Sequence, residues 1–466
     1  MTYDVVVIGA GVSGLSAAYE LMQRGRDVVV LERQVVVGGN TISERFDGFL
    51  MEHGPSAMHA VMPEALEFAR ELVLEASRLD LGENVRRRYL LDAGKLSGVS
   101  VHPLGFFLAD YLSLPARLSM LGEVLRPRRD SDADETLYDF TRRRFGDEFA
   151  RKVMEPLAAG LFMGDSKALS VGAVFPRLVE FEQKYGSVTR AVLNAKRGSQ
   201  PSGRLFSWPG GMGTLPHQLA LLLGARIHTE TTVKKITPLG SGFEVETVFS
   251  GKIRAQSVIL AVQPHVAAVL LETLEPETCN AVGEIAAPPI GVVYLGYRRE
   301  QVSHPLDGLG FLSTKDDDRA ISGAQFCSTM FAGRAPNGYV SISCYIGGAR
   351  NPALASLPDK EIVGLVHNEL SDVLGIKGLP VLSRVRHWSR GLPQYDLGHL
   401  DRREVIESAN SRLPGLILTG NYLQGVSITN CLVSARKAAQ MADDLLTGRN
   451  KRRTQYSIEG RRCHVK

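Results

Sequence analysis

The sequence predicts an α/β protein with a nucleotide-binding domain assembled from separated segments, and three observations point there. The first forty residues hold a strand, a glycine-rich turn, a helix and a second strand in unbroken order. A second strand, turn and helix unit lies near residue 420. Between them, from about 101 to 201, interrupted apolar helices replace that pattern.

Asp4 to Ile8 is wholly apolar after the aspartate and reads as a buried strand. Gly9, Ala10, Gly11, Val12, Ser13 and Gly14 follow at once, and Leu15 to Arg24 reads as a helix with Ala17, Ala18, Leu21 and Met22 on one side. Gly25 ends it, and Val28 to Leu31 forms a second strand stopping at Glu32 and Arg33. The three glycines sit where a dinucleotide fold needs them: Gly9 for the tight turn, Gly11 for close approach of a pyrophosphate, Gly14 for helix-on-sheet packing. The helix N-terminus offers free N–H groups and a positive dipole end to phosphates. Glu32, eighteen residues past Gly14, is placed to bind ribose hydroxyls. A carboxylate there repels a 2′-phosphate, which argues against NADP and leaves NAD or FAD.

The next stretch favours FAD. Gly38-Gly39-Asn40 and the turn Gly54-Pro55-Ser56-Ala57 resemble the FAD-binding fold shared by amine oxidases, phytoene desaturases and protoporphyrinogen oxidases. In that fold the paired glycines lie beneath the cofactor and the Gly-Pro turn approaches the flavin. Val36 stands where the family usually has an arginine, so a cationic contact to the cofactor is absent there. Leu416 to Thr419, Gly420, Gly425, Val426, Ser427 and Ile428, with the Ala-rich helix after them, resemble the family's closing motif, which turns N–H groups toward the flavin. In the middle of the chain, Arg226 to Val233 reads as a strand whose Val233 backbone is expected at the adenine edge, and Trp388 as a residue bordering the flavin.

At 466 residues the chain is long enough for about three domain-sized units. No apolar run reaches membrane-spanning length, and the chain begins directly in a strand, so neither a spanning helix nor a secretory signal is expected. Five scattered cysteines suggest no disulfide framework or metal set, only small buried residues in a cytoplasmic protein. The net charge of +4 is local: after Gly448 the chain carries seven basic residues against Glu459, leaving the rest net negative. Residues 449–466 are therefore expected to form a disordered tail, not a nucleic-acid site.

Pro103 to Leu121 is apolar and broken, with Arg126, Arg128 and Arg129 on its flank. It reads either as a helical cover or as a patch dipping into a membrane interface. Thr136 to Phe145 reads as a helix with Leu137, Phe140 and Tyr138 inward and Arg142, Arg143 and Arg144 outward.

Farther on, Leu392 to His399, Gly347 to Asn351, Gly160 to Asp165 and Gly308 to Leu312 resemble the oxygen-dependent protoporphyrinogen oxidase family in order and spacing, and the likeness runs from about Asp4 to Leu446. The resemblance implies a Rossmann-like FAD-binding domain built from discontinuous segments (1–84, 203–272, 385–448), a mixed-sheet substrate domain (85–100, 273–384) and a helical, membrane-associated domain (101–202). By the same resemblance Arg88 binds a propionate, Gly160 offers its carbonyl to a pyrrole N–H, and Leu309 and Leu312, with Phe311, form an apolar wall. Tyr395 and His399 read as a structural turn beside the cofactor. The implied chemistry is removal of a hydride from a methylene bridge of protoporphyrinogen IX by FAD, with dioxygen leaving as hydrogen peroxide. No separate catalytic side chain and no metal is expected. Coproporphyrinogen III, and more distantly an amine or a carotenoid, remain alternative substrates. Peripheral contact with the inner face of the cell membrane is expected, and a homodimer is left open.

Overall fold

The computed structural model describes residues 2–60, 62–99, 110–131, 133–194 and 205–462, with side chains described up to 448. The first sheet runs, in spatial order, Ile227–His228, Val28–Leu31, Thr2–Ile8, Lys252–Leu260, Gly242–Thr247 and Val233–Leu239; Leu416–Leu418 pairs in parallel with Lys252–Leu260. The first four strands are parallel. Their unbroken apolar runs have a direct cause. Val5, Val7, Val28 and Val30 enter a core on one face, while Val6, Ile8, Val29 and Leu31 enter a core on the other. A parallel sheet covered on both sides leaves no face for polar residues. Helix Val12–Gln23 packs on the first face beside Thr214–Leu223 and the terminal helix that begins at Ile428.

The second sheet is mixed, in the order Leu382–Trp388, Ile290–Arg298, Tyr339–Gly347, Ile321–Gln325, Gly308–Ser313, Arg87–Asp92 and Lys95–Val99. Only the pairing of Gly308–Ser313 with Arg87–Asp92 is parallel. Helix Asp359–Leu374 covers one face through Ile362, Val366, Leu370 and Leu374, packing on Tyr89, Leu91, Val293, Phe311 and Cys344.

Short helices fill 114–194 around Leu137, Phe140, Met154, Ala158 and Phe162. Pro103 to Leu108 lies outside the described residues. One expectation here is corrected. Arg144 does not point outward: it is fully buried, paired with Glu123, and donates to the carbonyls of Arg126 and Pro127 at 3.1 Å each. It falls four residues past Phe140 and seven past Leu137, on the inward stripe, so helical periodicity carries it inside, where Glu123 balances the charge. Helix Ile428–Arg462 runs into the basic segment after Gly448. Among the described residues no helix is long and apolar enough to cross a membrane. The cysteines are free, Cys327, Cys344 and Cys431 buried and Cys279 half-buried; Cys463 lies outside the described residues.

Candidate active site

The glycine turn after Thr2–Ile8 is packed on one side and open on the other. Gly9 holds φ +101°, and a Cβ there would lie 2.6 Å from the Ala261 carbonyl oxygen. A Cβ on Gly14 would lie 1.9 Å from the Gly9 carbonyl oxygen, so helix and turn touch backbone to backbone. Gly11 is different: a Cβ there would meet nothing within 4 Å. Helix Val12–Gln23 has no side-chain cap and no acidic residue in its first turn, so its N-terminal donors are left for a ligand. Gly38 bridges to Gly11 in parallel register and donates to the Ala10 carbonyl at 2.8 Å, and Gly39 passes beneath Gly11.

A second helix end meets the first. Ser427 caps the terminal helix, its Oγ accepting from the Asn430 N–H at 3.1 Å. The Ser13 hydroxyl contacts the Cys431 thiol, so both positive helix ends converge beside the space over Gly11. Glu32 lies at the rim, its carboxylate accepting from the Ala10 N–H at 2.7 Å and the Gln34 N–H at 2.8 Å. Thr231 donates to the Glu32 carbonyl at 2.7 Å, which brings half-buried Val233 to the same end of the sheet. Arg33 is exposed, and Val36, at the position of the missing arginine, is 65% exposed. This open cradle, with an acid at the ribose position and two helix ends facing a pyrophosphate's place, fits FAD.

The segments expected at the flavin lie next to one another. Gly54 abuts the Asn40 carbonyl so closely that a Cβ would sit 2.0 Å from its oxygen. Pro55, Ser56 and Ala57 are half-exposed. The Trp388 indole donates to the His53 carbonyl at 2.7 Å, placing its ring beside the Gly54-Pro55 turn. Gly420 and Gly425 take φ of +155° and +128°, and the Gly425 N–H donates to the Tyr395 hydroxyl at 2.9 Å, which donates to the Asn421 carbonyl at 2.7 Å. Val426 packs with the helical segment and Ile428 with the nucleotide domain. His399 stacks on Tyr395 at 3.9 Å and is fully buried; burial lowers its pKa to about 4, so it stays neutral as part of the turn.

The residues expected on the substrate side lie on the face of the second sheet opposite helix Asp359–Leu374, a face that helix Glu155–Phe162 partly covers. Along Arg87–Asp92, Tyr89 and Leu91 face the core, leaving Arg88 on the other side. Phe311 is 2% exposed and belongs to that core, so it does not join the apolar wall expected of it. Leu309 and Leu312 are three apart, which in a regular strand puts them on opposite faces. Here Gly310, at φ +141°, carries a register shift between Gly308 and Phe311, and both leucines become the half-exposed positions. Gly160 sits directly against Leu312, where a Cβ would lie 2.2 Å from Cδ2. Its carbonyl is not taken by the following turn, since the Met163 N–H goes to Ala159 and the Gly164 N–H to Ala158.

Arg88 itself is solvent-exposed, yet surrounding protein lowers its pKa through desolvation, a combination that suits a cation lining an open concavity. Among the described residues it has no acidic partner. Arg87, by contrast, lies 3.6 Å from Asp307.

Three features went unread in the sequence. Gln325 and Tyr345 occupy the same sheet face, joined by a 3.1 Å hydrogen bond. Glu52, 5% exposed, accepts from the Ser43 hydroxyl and from the Met212 N–H at 2.9 Å, and lies 3.4 Å from Arg334. Burial outweighs these contacts and raises its pKa to about 7. This knot ties the Gly54 turn to the loop Trp208–Gly213, whose three glycines before a helix were an available signal.

Comparison with known proteins follows the same lines. Residues 12–442 match the family of flavin containing amine oxidoreductases. A chloroplastic protoporphyrinogen oxidase of Nicotiana tabacum is 30% identical, over 95% of this chain and 86% of that one. A coproporphyrinogen III oxidase of Bacillus subtilis (strain 168) is 26% identical, over 94% and 97%. A crystal structure from Exiguobacterium sp. 255-15, provisionally named a protoporphyrinogen oxidase, shares the fold at TM-score 0.81 and 23% identity, over 96% of this chain and 99% of that one. The chain therefore belongs to the flavin-containing amine oxidoreductase family and is an FAD-dependent oxidoreductase.

Proposed function

We propose that this enzyme oxidises protoporphyrinogen IX to protoporphyrin IX in porphyrin biosynthesis, with dioxygen as acceptor and hydrogen peroxide as by-product. The observation that carries the reading is Arg88, a cation with no acidic partner among the described residues, on the sheet face that also carries Leu309 and Leu312, with Gly160 packed against Leu312. An apolar slot with one cation suits a large, mostly apolar molecule with an acidic arm. The names of the tobacco and Bacillus relatives support the same substrate class. Bound FAD supplies hydride acceptance. The residues of the chain orient the substrate: Arg88 holds a carboxylate, Leu309 and Leu312 exclude water from the ring, and the Gly160 carbonyl accepts a pyrrole N–H. No side chain is assigned as a base, and the pyrrole proton passes to solvent. Aerobic incubation with each porphyrinogen, read by product spectrum and mass, tests the proposal. Failure to form any porphyrin rejects it.

The enzyme acts at the inner face of the cell membrane in this reading. Leu114, Leu118, Leu121 and Leu125 form one stripe, between 55 and 83% exposed, beside exposed Arg128. Apolar side chains at this spacing, with a cation at the rim, suit peripheral lipid contact. Arg126 and Arg129 add less, since Arg126 donates to the Arg143 carbonyl at 2.7 Å and Arg129 lies 3.6 Å from Glu135.

A further inference from the structure

One polar pair interrupts the apolar wall of this sheet face. Gln325 ends its strand opposite Gly310, and Tyr345 lies on the next strand, its neighbours Cys344 and Ile346 turned into the core behind. Tyr345 packs with Met163, Ile290, Val292 and Trp388, so it stands between the Gly160 helix and the flavin-side wall. Its hydroxyl donates to the Gln325 Oε1 at 3.1 Å. Burial raises the phenol pKa far above its ordinary value, so the hydroxyl remains a donor and not a base. With its oxygen engaged, Gln325 has its amide N–H groups left over, and among the described residues they reach no protein acceptor. Arg88 and Gln325 flank Leu309 and Gly310 from opposite sides, two strand spacings or roughly 10 Å apart.

We infer that Gln325, oriented by Tyr345, is a specificity residue that donates to a further carboxylate arm of the substrate. The arm is at a corner where the dicarboxylate carries a vinyl group instead, so the site accepts porphyrinogens with more than two carboxylates as well as the dicarboxylate. An amide donor on an apolar wall has no complement in a vinyl group, whereas a carboxylate satisfies it. The Tyr345 bond fixes which end of the amide faces the ligand. The inference rests on the porphyrinogen reading above and extends it from one anchored arm to two.

The experiment compares the FAD-loaded enzyme with coproporphyrinogen III, which carries four propionates, and protoporphyrinogen IX, which carries two. The readout is the ratio of the two kcat/KM values. A hydrogen bond to a charged acceptor makes Gln325→Leu lower the coproporphyrinogen-to-protoporphyrinogen ratio about ten- to a hundred-fold, mainly through the KM for coproporphyrinogen. Gln325→Glu, which repels a carboxylate, lowers it in the same direction. Tyr345→Phe is nearly isosteric and lowers it by a few-fold, which keeps the test informative if a Gln325 variant fails to fold. Flavin absorbance and melting temperature report folding. An active wild type whose ratio is unchanged in these variants overturns the inference alone. A wild type inactive on both substrates overturns the porphyrinogen reading with it.

Discussion

Replacing Arg88 with alanine isolates the proposed substrate anchor, because its guanidinium has no acidic partner among the described residues and, beyond adding to the burial that lowers the His59 pKa, has no other recorded role. It is exposed and has no acidic partner among the described residues, so its loss leaves no buried charge unpaired, and the melting temperature is expected to hold. A propionate carboxylate keeps its charge during hydride removal, so the contact is made equally in ground and transition states. Uniform binding of this kind appears in KM and not in kcat. A hydrogen bond to a charged group contributes about 1.5–3 kcal/mol. At about 1.4 kcal/mol per tenfold, Arg88→Ala raises KM about 10- to 100-fold. Arg88→Lys recovers part of the loss, keeping the charge without the two-pronged geometry. Arg87→Ala is the control, since its guanidinium is already committed to Asp307 and exposed. Steady-state kinetics at several substrate concentrations decide the matter. A collapse of kcat at unchanged KM means that Arg88 aligns the ring for reaction. No change in either parameter, or a larger effect from Arg87, refutes the assignment.

Three other outcomes follow from the same geometry. Gly11 has φ −71° and open space around it, so Gly11→Val folds normally but loses FAD; retained one-to-one flavin after desalting contradicts the cradle. Replacing Leu118, Leu121 and Leu125 together with serine abolishes flotation with anionic liposomes while flavin content stays constant, and equal partitioning of parent and variant rejects the membrane patch. Leu112, 3% exposed, is excluded from that set, since serine there opens the core. Glu52 titrates near pH 7 in the folded chain against an ordinary 4.5, so the protonated form favours folding. Its stabilising contribution is complete below pH 4.5 and is lost as pH rises through 7, by up to about 3 kcal/mol. Glu52→Gln flattens the stability profile over that window, and parallel melting curves for the two proteins rule the effect out.

The nucleotide turn was legible in the sequence because its parts are local. Gly14 packs on Gly9 five residues back, even though Gly9 also meets Ala261 and Gly11 meets Gly38, and the all-apolar runs Val5–Ile8 and Val28–Leu31 record burial on both sheet faces without reference to anything distant. The resemblance added Gly160, Leu309 and Leu312, but nothing in their spacing shows that they meet. Only the register shift at Gly310 turns the two leucines to one side and Phe311 to the other, and strand pairing across the sheet decides that shift. Arg144 misled for a similar reason: its charge argued for solvent, while Glu123, twenty-one residues earlier, supplied a buried partner. Gln325 and Tyr345 were invisible as a pair because they lie on adjacent strands and touch only once those strands align. Short-range backbone geometry follows from residue order, whereas the face a side chain presents and the partner it finds depend on contacts between segments far apart in the chain. The cofactor cradle was therefore readable from the sequence, and the substrate wall was decided by the tertiary fold.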